Sequence, residues 1–271
     1  DFTSRAGFGG GWNGYVDYSV VSDQDYLSDL NRSLDINQTT HLRRRGGVRY
    51  SGSDQYFEAY LNGYQTLDED VLAENKPYDQ LPEVIYGGTA QAGWLEANLE
   101  SQYTWFRRDN DTLSGLEAAT GQRLRAIPEV ALPMRALWGY SRPSVGLDYT
   151  RYELDDYDYN QRDGSFDRSV PVFEWDNGLY FDRRGELFDV PYNQTLEPRL
   201  YYAWADAEDQ SHIPDFDTGL RSFRFDQLFR RNRFTGGDRV GDTDQLTVAL
   251  TSRFNDLTTG AERARFSIGQ I

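Results

Sequence analysis

LFRRNRFTGGDRVGDTDQLTVALTSR, residues Leu228–Arg253, decides the reading of the fold. Its first half is basic and broken by glycine, with Arg230, Arg231, Arg233 and Arg239 around Gly236 and Gly237. Its second half alternates. Leu246, Val248 and Leu250 share one parity, and Gln245, Thr247, Thr251 and Arg253 the other. A period of two is a strand with one apolar and one polar side. The same alternation recurs along the chain. Leu95, Ala97, Leu99, Tyr103 and Trp105 interleave with Glu96, Asn98, Glu100 and Gln102, and Leu196, Leu200, Tyr202 and Trp204 with Glu197, Arg199 and Tyr201. About 11 strands are expected on this pattern.

The connections alternate in length. Short turns fall near residues 52, 92, 138, 188 and 257, and long loops near 30, 73, 114, 160 and 224. A soluble meander has no reason to lengthen every second connection, whereas an outer-membrane barrel has short turns on one side and long loops on the other. Composition agrees. The mean hydropathy is -0.75, yet 19 Tyr, 15 Phe and 6 Trp are present with 25 Gly, as suits strands with one side in lipid and one in water. No run approaches the roughly 20 apolar residues of a membrane helix. The fold class expected is an antiparallel transmembrane β-barrel, with residues 1–271 forming part of a single barrel domain. The odd strand count, the start at Asp1 and the stop at Ile271 inside an alternating run lead to the expectation of a fragment of a larger barrel.

The net charge of -16 disfavours nucleic acid, which needs a positive surface. Acidic stretches such as Asp23, Asp25, Asp29 and Asp155, Asp156, Asp158 suit either divalent cations or plain solvation. With no Cys there is no disulfide or thiol chemistry. His41 and His212 are the only histidines. Neither lies in a nucleophile context, and a zinc site at His212 would need more N or S ligands. No catalysis, cofactor or metal is expected.

An Arg at the bilayer midplane costs roughly 2–4 kcal/mol on a barrel's lipid side. Arg43, Arg45, Arg49, Glu96, Glu100, Glu197, Arg199 and Arg253 should therefore face the lumen, either as structural ion pairs or as a hydrophilic path for a charged glycan or phosphate. Trp12, Tyr50, Trp105 and Trp204 sit near strand ends on the outward parity and should form an aromatic girdle. The 206–242 loop is too long for a simple connector. It should fold into or over the lumen, with Arg230, Arg231, Arg233 and Arg239 meeting wall carboxylates or a partner and Phe223, Phe229 and Phe234 removed from water.

Four pieces, Val16–Leu30, Gln194–Tyr201 (QTLEPRLY), Leu228–Arg253 and Phe266–Ile271 (FSIGQI), resemble one family in order and spacing. It is the lipopolysaccharide-assembly outer-membrane protein family LptD, also called OstA or Imp. Within Leu228–Arg253 the resemblance rests on LFR, on Phe234, Gly236, Gly237, Asp238 and Arg239, and on LTSR. It implies a protein of the Gram-negative outer membrane that inserts lipopolysaccharide into the outer leaflet. It also implies a lipoprotein partner, LptE, in the lumen, contact with outer-membrane lipid, and a periplasmic Lpt bridge joined through an N-terminal jellyroll absent from these residues. The family's lateral gate and disulfide cysteines have no counterpart here. Two other readings stay open: a porin or nutrient-receptor barrel, and a soluble β-sandwich adhesin in which a second sheet covers the apolar side.

Overall fold

The computed structural model describes residues 1–22, 40–68, 70–109, 111–187 and 190–271. Asp23, Asp25, Asp29 and the second half of the Val16–Leu30 element lie outside the described residues. The strands are β1 (Phe2–Gly9), β2 (Trp12–Tyr18), β3 (His41–Ser51), β4 (Gln55–Thr66), β5 (Asp79–Ala92), β6 (Leu95–Arg107), β7 (Thr120–Ala131), β8 (Met134–Ala136), β9 (Gly139–Asp155), β10 (Ser165–Leu179), β11 (Phe181–Leu187), β12 (Val190–Ala205), β13 (Thr243–Asp256) and β14 (Glu262–Gln270). All 14 belong to one antiparallel sheet in chain order, with β8 paired only to β9 and β11 only to β12. β1 and β14 do not pair with each other, so the sheet is open.

The three additional strands have local causes. In β1, FTSRAGFG, the only large apolar residues are Phe2 and Phe8, so its alternation is faint in sequence; it pairs with β2 from Phe2–Tyr18 to Gly7–Asn13, with an irregularity at Phe8 before Gly9–Trp12. The stretch 134–143, expected to be a turn, is a tight hairpin in which Met134 pairs with Ser141 and Ala136 with Gly139. The stretch 184–192, also expected to be a turn, is strand on both sides: Arg184 pairs with Asn193 and Gly185 with Tyr192. The ladder to β12 is interrupted at Leu179–Tyr180, opposite Glu197–Pro198; the register on either side is the same. Pro198 has no N–H to give to that ladder. Pro128 acts similarly: its ladder with β6 is continuous, and pairing to β9 lapses between Ala126 and Glu129.

Register fixes two faces. Cross-strand pairing links Arg49, Glu58 and Ile85, then Gln102, Arg125 and Thr150, then Arg168; these define the polar face. The opposite parity carries Val48, Leu61, Leu99, Leu124, Val145, Leu200, Val248 and Ile268, all exposed. Burial is inverted with respect to a water-soluble protein. Val248 is 56% and Ile268 73% exposed, while Arg123 and Asp238 are 0% exposed. No second sheet covers the apolar face among the described residues, unlike the covered face that the adhesin reading expects.

The aromatic residues fall at two levels. Trp12 and Tyr50, 5.2 Å apart, lie at the short-turn ends of β2 and β3; Trp105 and Trp204 lie at the long-loop ends of β6 and β12. This spacing fits two interfacial belts bordering one apolar band. Arg44, on the outward parity, is held at the long-loop end by Gln65 Oε1 at 2.6 Å and lies 5.5 Å from the Tyr18 ring.

Replacing Leu250, which stands in the middle of β13, by Arg should cost roughly 2–4 kcal/mol of barrel stability, whereas Thr251→Arg on the other parity should cost far less. Urea titration of the full-length protein in lipid vesicles, read as heat-modifiable gel mobility, checks this. Equal tolerance of both substitutions would contradict the two-sided assignment.

Candidate functional site

The 206–242 loop lies across the polar face, fastened by charge rather than by grease. The Arg123 guanidinium rises from β7 and is completely enclosed. It donates to Asp217 Oδ1 at 2.8 Å and Oδ2 at 2.6 Å, and to Asp238 Oδ1 at 2.7 Å. Asp238 accepts further bonds from the Tyr152 hydroxyl at 3.1 Å and the Phe216 and Asp217 amides at 2.8 and 3.2 Å. Both carboxylates thus have the extra donors that a buried ion pair needs to offset desolvation. Burial works against charge on Asp217, but Arg123 and the Gly237 amide outweigh it and hold the carboxyl below its ordinary range.

Two more wall arginines read the loop backbone. Arg168 of β10 donates to the carbonyls of Gly237 at 3.0 Å and Asp238 at 2.7 Å, and to Gln210 and Thr150 at 3.0 Å each. Arg125 donates to the Gly236 carbonyl at 3.0 Å while its Nε holds Asp148 at 3.0 Å. The two glycines are required by this approach. Gly236 has φ +68°, and a Cβ there would stand 2.3 Å from Asp217 Oδ1; a Cβ on Gly237 would stand 2.7 Å from Arg123 Cζ. Thr235 N donates to Gly219 O at 2.8 Å, and Leu220 bridges to Phe234, so the two halves of the loop clasp each other before they reach the wall.

The two clusters of buried apolar residues both include loop residues. Phe106 and Phe216 stack at 4.4 Å, Tyr78 meets Phe216 edge-on at 4.9 Å, and Ile213 and Tyr152 complete the cluster. Val240 joins Val170, Val172 and Ala205 in a second one. His212 packs on Phe166 at 4.9 Å, and burial pushes its imidazole below the ordinary value.

The loop arginines divide between the wall and the loop itself. Arg231 alone meets a wall carboxylate, Glu174 at 2.9 Å. Arg230 lies 3.8 Å from Asp226 within the loop, Arg233 sits over the Phe234 ring at 5.3 Å, and Arg239 donates to the Ile213 carbonyl at 2.8 Å. The polarity is largely reversed: the wall supplies the deeply buried cations and the loop supplies Asp217 and Asp238. Phe229 stands under the Arg199 guanidinium at 3.8 Å and Phe234 is half-buried. Phe223, however, remains 77% exposed.

All eight residues expected at the lumen fall on the polar face by register. Arg45 and Arg49 share Glu58 at 3.1 and 2.9 Å, and Arg43 lies 3.3 Å from Asp17. Arg142 joins Glu96 at 2.9 Å to Glu129 at 2.6 Å. Arg199 holds Asp176 at 2.7 Å, and Arg253 lies 3.1 Å from Glu197. Glu100 is exposed on the same face. Arg123, Arg125, Arg168 and Asp217 were not singled out in the sequence. The alternation of β7 contained the parity of the first two; nothing local marks Asp217, which meets its partner across 94 positions.

A one-layer antiparallel wall with a greasy exterior, belts of aromatic residues and a loop ion-paired to its polar face defines an outer-membrane β-barrel protein. The family model described as LPS transport system D matches residues 2–271. The chain is 78% identical over its whole length to the LPS-assembly protein LptD of Marinobacter nauticus and 45% identical to that of Hahella chejuensis; it covers 34% of each. It is 38% identical to the LPS-assembly protein LptD of Pseudomonas aeruginosa, over 96% of this chain and 31% of the relative. The chain belongs to the LptD family and spans about a third of the length of these relatives.

Asp238→Ala would leave the enclosed Arg123 short of a partner and should weaken loop docking by about 3–5 kcal/mol. Trypsin should then cut the full-length protein at arginines of the 221–239 segment. Arg230→Ala, which removes only an exposed contact, should stay within about 0.5 kcal/mol of the parent. Equal trypsin resistance in the Asp238 variant would show that the loop is held by something else.

Proposed function

We propose that this chain is part of the wall of an outer-membrane barrel that places lipopolysaccharide in the outer leaflet, its polar face lining the lumen and its apolar face touching membrane lipid. Support comes chiefly from the family match along residues 2–271. A loop ion-paired to the polar side agrees with it, since such a loop narrows a passage that a diffusion pore would keep open. In this reading residues 1–271 are one stretch of a single barrel domain, closed by strands from elsewhere in a longer protein. The lipoprotein LptE occupies the lumen beside the docked loop, meeting its exposed Leu220 and Phe223. The periplasmic Lpt bridge delivers lipopolysaccharide through an N-terminal domain.

No covalent step is assigned to the chain. Its side chains supply shape, polarity and attachment. Arg43, Arg45, Arg49, Glu96, Glu100, Glu197, Arg199 and Arg253 act as a hydrated, largely ion-paired lining. Phe229, Arg230, Arg231, Arg233, Phe234, Gly236, Gly237, Asp238 and Arg239 act as the luminal loop, which is both fixed to the wall and presented to the partner.

Deleting residues 206–242 from the full-length protein, in cells that carry no other copy, should abolish surface lipopolysaccharide and viability while leaving a heat-modifiable barrel in the membrane. Affinity purification of the intact parent in detergent should bring down a lipoprotein. Normal lipopolysaccharide export by the deletion strain, with no lipoprotein co-purifying, would overturn the assignment.

A further inference from the structure

Charge compensation is uneven along the polar face. On the long strands β5–β7, β9, β10, β12 and β13, each arginine of that parity is matched within the molecule. Arg123 has two aspartates, Arg125 has Asp148, Arg142 has Glu96 and Glu129, Arg199 has Asp176, and Arg253 has Glu197. Arg168 is enclosed by loop carbonyls and lies 3.7 Å from Asp148. At the other end of the sheet the balance fails. Among the described residues, Arg5, Arg43, Arg45 and Arg49 line one hollow of about 560 Å³ with Asp17 and Glu58 as its only carboxylates, so four guanidinium groups face two carboxylates. Arg5 has no ion pair among the described residues. Arg43 and Arg49 keep 50% and 54% of their side chains exposed beside their partners. This excess of two positive charges stands in a chain whose net charge is -16.

The hollow is also organised. Glu58 accepts from the Tyr15 hydroxyl and from both Arg45 and Arg49, and Arg45 lies over the Tyr60 ring at 3.6 Å. Arg45 and Arg49 are thereby held before any ligand arrives, as Arg43 is by Asp17, which lowers the entropy cost of binding. They stand at alternate positions of one strand face. From Arg43 to Arg49, β3 rises roughly 20 Å at about 3.3 Å per residue, so the cations form a column along the strand rather than one spot. Planar guanidinium forks suit the tetrahedral oxygens of phosphate better than ammonium groups do.

We propose that this hollow binds phosphate groups of a glycolipid in transit, successive phosphates meeting Arg43, Arg49 and the unpaired Arg5. The inference rests on the reading of the polar face as the lipopolysaccharide path. The test is site-specific photo-crosslinking in the full-length protein with its lumen partner, using a photoreactive residue at Asn13 inside the hollow and, separately, at Glu100 on the same face outside it. The probes are phosphorylated lipopolysaccharide and the same material after enzymatic dephosphorylation.

The expected result is a lipopolysaccharide adduct at Asn13 that falls about tenfold in the combined R5Q, R43Q and R49Q variant and with the dephosphorylated probe, as the loss of charge-assisted bonds to phosphate requires. The Glu100 adduct should be unaffected. The combined R5K, R43K and R49K variant should recover part of the yield, and unchanged heat-modifiable mobility excludes misfolding as the cause. An Asn13 adduct indifferent to the arginines or to dephosphorylation overturns the proposal alone, as does an adduct to polypeptide in place of glycolipid, which would mean that the arginines serve a protein carboxylate. Absence of any glycolipid adduct at both positions overturns the transport reading, and this proposal with it.

Discussion

The enclosed contact of Arg123 with Asp217 and Asp238 is the constraint on which the arrangement of the polar face depends. An arginine without access to water is costly unless charges and hydrogen-bond acceptors offset its desolvation. Here two carboxylates take three of its bonds, and those carboxylates are themselves fixed by backbone amides of Phe216, Asp217 and Gly237. The ion pair therefore orders the loop backbone as well as the side chains. Gly236 and Gly237 follow from it, since any side chain there would occupy the space of Asp217 or Arg123. The adjacent Arg239 returns to the carbonyls of Ile213 and Pro214, closing the loop on its own beginning.

Electrostatic fastening fits the sidedness of the sheet. Where one face turns to hydrocarbon, the apolar residues of each strand are committed outward, and few remain to build a core on the other side. The cluster of Tyr78, Phe106, Tyr152, Ile213 and Phe216 is correspondingly small. Arginine on the wall and aspartate on the loop supply what that small cluster lacks, and they do so directionally: Arg168 distinguishes two consecutive carbonyls, which sets loop position more sharply than apolar packing would. A long connector is thereby held as a structured part of the wall.

The sequence made the two-sided strands legible because alternation is a local property. Leu246, Val248 and Leu250 against Gln245, Thr247 and Arg253 need no knowledge of neighbours, and the lengthening of every second connection is equally visible. Strands escaped notice where alternation carries little contrast, as in β1, or where a hairpin is so tight that its residues resemble a turn, as at Met134–Gly139. The site was only half legible. A basic, glycine-broken loop announced that it would meet something charged, but composition cannot say which partner contributes which sign. Its arginines are conspicuous in sequence, yet Arg230 and Arg233 stay in half-exposed contacts, while the decisive Asp217 lies in an unremarkable acidic stretch whose partner is set by tertiary approach.

This division of roles gives the sheet a direction. Beneath the loop, arginine is engaged: each guanidinium gives its terminal N–H groups to carboxylates or carbonyls and is closed off from a passing ligand. Toward β1–β3 no described segment of the chain lies over the face, and Glu58 is shared by two arginines instead of being added to for each. The same residue type thus serves opposite ends in one wall, because an arginine's availability is decided by how many acceptors the fold brings within reach. Enclosed by carboxylates and carbonyls, it is a fastener; sharing one carboxylate, as Arg45 and Arg49 share Glu58, it leaves positive charge on the face of a protein that is otherwise strongly acidic.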